Sequence, residues 1–157
     1  MLLEQERVLR YESFDAVRAL ELGTIAARLA PEYDETYTVT ITRESDAATW
    51  FQWLADDKGE RNLMFAAGKR NATVAAGHAS PWPQLEVLAN GRSLDEVWAK
   101  VPDEVASCGA FPIRVGDEWV ATLAVSGLHN GLDHEVVLRS LEQALGKKAP
   151  RWDADVA

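Results

Sequence analysis

Three histidines, one cysteine and a Lys-Arg-Asn triplet are the side chains of this sequence whose types could do chemistry. The triplet is Lys69-Arg70-Asn71, and His78 follows two helical turns later. An arginine fork beside a lysine point charge suits a carboxylate. His78 could ligate a metal, or carry a proton near neutral pH. Each has a plainer alternative. The triplet also fits a solvated helical face or an interface ion pair. A histidine at a helix end is also favoured by the helix dipole or by a loop carbonyl.

The remaining reactive types do not assemble into a constellation. His134 stands between Asp133 and Glu135, but consecutive helical residues point apart and cannot easily converge on one ion. His129 lies in an expected loop, and the four-ligand spacing of a zinc site is absent, so no metal is expected. Cys108 has no nearby cation to lower its thiol pKa, and a lone cysteine usually fills a small space. Ser126 in Ala124-Val125-Ser126-Gly127-Leu128 fails the nucleophile-elbow pattern, because Ala124 stands where a glycine is needed. There is no G-x-G-x-x-G and no P-loop. No catalytic residue is assigned.

The elements that must position these residues are legible from periodicity. Leu2, Leu3, Glu6 and Leu9 predict a short first helix. Phe14, Val17, Leu20, Leu22, Ile25 and Leu29 predict a second, capped by Ser13 or Asp15. In Thr36–Thr42, Tyr37, Val39 and Ile41 alternate with threonines, the pattern of a half-buried strand. Thr49–Leu54 returns as its hairpin partner. Trp50 and Phe51 are consecutive there, so alternation places them on opposite sides and both sides of the strand covered. A long helix runs from about Gly59 to Gly77. Its faces are Leu63, Ala67, Arg70 and Val74, and beside them Met64, Asn71, Ala75 and His78. Gly68 within it marks a close approach or an indifferent surface position. Short helices are expected over Gln84–Ala89 and, behind a Ser93/Glu96 capping box, through Trp98.

The last third predicts a hairpin, Phe111 to Gly127, turning at Gly116-Asp117. Pro112 there needs a strand start or an edge, having no N–H for the ladder. Asn130 or Asp133 caps a final helix striped by Val136, Val137, Leu141 and Leu145. Residues 1–148 are expected to form one domain and 149–157 a flexible tail.

Bulk properties bound the partners. With 25 acidic and 16 basic residues the net charge is −9, which repels a phosphate backbone, so no nucleic acid is expected. No apolar run approaches the ~20 residues that span a bilayer, so no membrane is expected. The N-terminus lacks the basic and apolar regions of a signal peptide, and one cysteine fits a reducing compartment; the expectation is cytoplasmic. Six tryptophans, at 50, 53, 82, 98, 119 and 152, point to a covered sheet or a subunit interface.

The order helix, hairpin, helix, hairpin, helix resembles the haem-degrading-domain superfamily, also called GlcG/HbpS-like, and within it a branch of the uncharacterised-protein-family (UPF) type. The residues that carry the likeness are Leu3-Glu4-Gln5-Glu6, Ser13-Phe14-Asp15, Lys69-Arg70-Asn71 with Val74, and Gly77-His78-Ala79-Ser80. Gly109 to Val115, Val125-Ser126-Gly127-Leu128 and Asp133-His134-Glu135 complete it. The sequence departs from it at Cys108-Gly109-Ala110, where the family often has a Gly-Gly pair, and at Pro81 and Pro83. The resemblance implies an α+β fold: a profilin-like α-β-α sandwich whose central antiparallel sheet is built from two hairpins. It also implies a homo-oligomer and, for some members, haem or another small ligand. Fold does not fix function. The leading expectation is an oligomeric small-ligand-binding domain, its contacts Lys69, Arg70, Asn71 and His78, its ligand haem or another anion. A haem-degrading or cofactor-dependent enzyme and a protein-interaction or chaperone-adaptor module are the alternatives.

Overall fold

The alternation at Tyr37–Thr42 becomes strand β1 (Thr38–Arg43), paired antiparallel with β2 (Thr49–Leu54). Strands β3 (Ala110–Val115) and β4 (Glu118–Ser126) form the second hairpin. In this computed structural model, which describes residues 2–79, 109–128 and 132–151, the hairpins join through β1 and β4. The sheet order is β2-β1-β4-β3, antiparallel throughout. Pro112 sits in β3, an edge strand, where its missing N–H leaves no central ladder bond unmade.

Period-two alternation makes the two faces of this sheet chemically different. Val39, Ile41, Phe111, Ile113, Leu123 and Val125 are fully buried on one face. Helices α2 (Ala16–Arg28) and α4 (Leu132–Leu145) pack there and against each other. Burying each of these larger side chains contributes about 1.5–3 kcal/mol. The other face carries Thr38, Thr122, Ala124, Ser126 and Ala110, small or polar, and is crossed by α3 (Glu60–Ala76). Helix α1 (Leu2–Val8) and a 3-10 turn at Ala30–Glu32 complete the α-β-α sandwich that the family resemblance implies. Among the described residues no helix is long and apolar enough to cross a membrane.

Three local expectations are corrected. Helix α2 does start behind Asp15, whose carboxylate accepts from the Arg18 N–H at 2.9 Å. Its inward face, however, is Ala19, Leu22, Gly23 and Ala26, while Val17 and Leu20 are exposed. Small residues win the inward positions because the helix lies close on β2: a Cβ at Gly23 would fall 2.3 Å from the Phe51 ring. Helix α3 likewise turns Ala66, Gly68, Lys69, Ala72 and Thr73 to the sheet and leaves Met64, Ala67, Asn71, Val74 and Ala75 exposed. The threonine-and-alanine face it covers accepts small and polar partners, so the apolar stripe was a poor guide. Lastly, Trp50 and Phe51 both pack against the one main core. A β-bulge at Ile41/Thr42 sets an extra residue into β2 and breaks the alternation that would have parted them.

The expected short helices over 84–98 lie outside the described residues, as do Ser93, Asn130, Cys108, His129, Trp82, Trp98 and Trp152. Asp133 is not the cap outside α4 but lies within its first turn. The segment after α4 is held back onto the helix. Glu142 accepts from the Ala149 N–H at 2.8 Å and from Arg151, and Gln5 donates to the Pro150 carbonyl at 2.7 Å.

Candidate functional site

Helix α3 carries three of the four residues that the sequence nominates, with His78 just past its end, and the fold sends them in different directions. Lys69 points inward and is 1% exposed. Its ammonium donates to the Asp133 carboxylate at 2.7 Å and to the Val125 carbonyl at 2.8 Å. The other Asp133 oxygen accepts from the Leu128 N–H at 2.9 Å. Burial pushes the Asp133 carboxyl above the ordinary aspartate value, against the pull of Lys69. Gly109 closes over this pair. Its φ is +124°, and a Cβ there would meet the Val125 carbonyl oxygen at 2.3 Å and Lys69 Nζ at 3.2 Å.

Arg70 leaves the helix toward β4 and forks onto Glu44, Nε to Oε1 at 2.9 Å and Nη2 to Oε2 at 2.6 Å. Glu44 also accepts from the Thr122 hydroxyl at 2.7 Å, and Trp119 Nε1 donates to that hydroxyl at 3.1 Å. Burial alone would raise the Glu44 carboxyl, but the hydrogen bonds from Arg70 and Thr122 hold it below its ordinary value. Arg114 extends the band, 5.2 Å above the Trp119 ring and 3.2 Å from the Gly77 carbonyl. Asn71 is exposed.

His78 stands just past the end of α3, which Gly77 terminates in the left-handed conformation at φ +76°. The imidazole is half-buried, and its Nδ1 lies 3.0 Å from Glu6 of α1. The second Glu6 oxygen accepts from the Ala79 N–H at 2.7 Å. Asn71, Val74 and Ala75 lie on the exposed side of α3, and His78 follows the end of the helix.

His134 plays a different part. It is buried in α4, its Nε2 2.9 Å from the Gln5 side-chain oxygen, and burial, with the charge of Arg151, lowers its pKa to about 4. Among the described residues no group of three or more His, Cys, Asp or Glu could hold a metal ion.

Sequence reasoning missed the acidic partners: Asp133 for Lys69, Glu44 for Arg70 and Glu6 for His78. Each lies tens of residues from its base in the chain, so local spacing carries no trace of it. Glu6 and Asp133 did lie in segments that carried the family resemblance.

Comparisons with known proteins bear on this arrangement. The family model described as "Haem degrading protein HbpS-like" matches residues 14–142. A UPF0303 protein of Azotobacter vinelandii is 30% identical over 146 residues, 92% of this chain and 87% of the relative. Among solved structures, the Ybr137w protein superposes with a TM-score of 0.78 at 19% identity, over 94% of this chain and 87% of that one. A PduOC:haem complex superposes with a TM-score of 0.66 at 16% identity, over 88% of this chain and 99% of that one. At these identities the structural likeness shows the shared fold.

Proposed function

We propose that this chain, which belongs to the HbpS-like family, is a homo-oligomeric domain that binds a small anionic ligand, haem being the first to test. The observation that carries the reading is the contact between His78 and Glu6. A carboxylate on one imidazole nitrogen fixes the tautomer and aims the other nitrogen, the arrangement found behind metal-binding histidines. A histidine is also a common protein ligand of haem iron.

The ligand bed is the outward side of α3 near its C-terminal end. His78 and Asn71 supply polar contacts, with Val74 and Ala75 between them as apolar surface. Arg70 spends Nε and Nη2 on Glu44, and its Nη1 is the donor for an anionic group of the ligand. Lys69, held by Asp133, supports the helix from beneath rather than touching the ligand. Bound haem would supply an iron centre for redox and ligand exchange. The chain's own residues hold and orient.

The name of the matched family and the haem in the PduOC structure support haem as the ligand to try. Titration with haemin followed at the Soret band tests it. A saturable shift is expected, and its complete absence would remove haem. Oxygen-dependent loss of that band with a reductant would favour a degrading enzyme over a binding domain. Light scattering at micromolar concentration should report a multiple of the 17.3 kDa chain, and a monomer would contradict the assembly.

A further inference from the structure

A cleft of about 630 Å3 opens between residues 10–13, helix α2 and the end of α4. On a chain of net charge −9 it gathers three cations, Arg10, Arg18 and Lys147. Glu12 and Glu21 share its rim, and Ala144 and Leu145 give it an apolar wall.

Tyr11 supplies a second, independent observation. The residue is 7% exposed, with its ring edge-on to Phe14 at 4.8 Å and its backbone N–H donating to the Arg114 carbonyl at 2.8 Å. The ring is therefore fixed. Its hydroxyl is buried and has no hydrogen-bond partner among the described residues. Buried tyrosine hydroxyls ordinarily find one, so an orphan at the wall of a cleft marks a place for a ligand atom. Burial raises its pKa, and the charges acting on it are Glu21 and Arg18, both of the same cleft. The hydroxyl thus stays a proton donor, with the Arg18 charge acting on it.

We propose that this cleft binds a small organic carboxylate, its oxygens between the Arg18 guanidinium and the Tyr11 hydroxyl and its carbon body against Leu145. Arg18 is available for the task, because its pairing with Glu21 is long, 3.3 Å, and exposed on both sides. Arg10 is engaged with Asp117 and the Gly116 carbonyl, and contributes positive potential with Lys147. A planar fork matches a carboxylate. The two glutamates on the rim disfavour a multiply charged anion, and the volume lies in the range of small-molecule pockets.

The test is a calorimetric titration of the full chain with benzoate, its neutral isostere benzamide, and inorganic phosphate. Benzoate should bind saturably, with benzamide and phosphate each weaker by about tenfold or more. Tyr11→Phe should weaken benzoate about tenfold, as should Arg18→Gln, while Met64→Ala, exposed on α3, leaves it unchanged. Without ligand, Tyr11→Phe should unfold at the same temperature or higher, since the hydroxyl it removes had no partner. Absent benzoate binding, unchanged affinity in Tyr11→Phe, or phosphate binding as tightly as benzoate would each overturn the assignment.

Discussion

Lys69 and Asp133 form a 2.7 Å ion pair inside the protein, with side chains only 2% and 5% exposed. The pair ties α3 to α4, and the Val125 carbonyl and Leu128 N–H bring the exit of β4 into the same knot. Removing one member strands the other in a medium that solvates it poorly. Lys69→Met should therefore cost about 3–5 kcal/mol in urea unfolding. Adding Asp133→Asn, which neutralises the stranded charge and keeps an acceptor for Leu128, should cost less than the two single losses summed. Strict additivity would show that the contact is not energetically coupled.

Gly109 tests the same knot from the other side. An alanine there meets backbone at 2.3 Å and must hold φ near +124°, where L-residues are strained. Gly109→Ala should cost about 2 kcal/mol or more by thermal unfolding, whereas Gly116→Ala, in open space at φ +60°, should cost only about 1. Equal losses would mean that crowding at Gly109 relaxes freely.

His134 makes stability depend on pH. Folded, it stays neutral down to about pH 4; unfolded, it takes up its proton near 6.5. Between those values the unfolded chain binds more protons, so stability rises with pH. The contribution is full above about pH 6.5 and is lost as pH falls toward 4, about 3 kcal/mol in all. Unfolding free energies at pH 7 and pH 4.5 should differ more in the unmodified protein than in His134→Gln, by about 2–3 kcal/mol. An equal difference would place the titration elsewhere.

The sheet was legible because its signals are local. Strict alternation at Tyr37, Val39 and Ile41, the Gly116-Asp117 turn and the core side chains Phe111 and Ile113 each act within a few residues. The orientation of α3 was not, because the face it covers is itself polar and small, so Ala66, Lys69 and Thr73 went inward against the apolar pattern. The bulge in β2 was equally invisible, being a property of two strands in register. Of the nominated residues, the periodicity set Lys69, Arg70 and Asn71 on a helix and His78 at its end, while their directions depended on Glu6, Glu44 and Asp133, which only the folded chain brings near.

Haemin titration of the unmodified protein beside Glu6→Gln and His78→Ala asks whether the His78–Glu6 contact holds the ligand. A saturable Soret shift is expected in the unmodified protein, with about tenfold weaker binding in Glu6→Gln, where the orienting carboxylate becomes an amide, and no shift in His78→Ala. A His78→Ala titration that superimposes on that of the unmodified protein would contradict it.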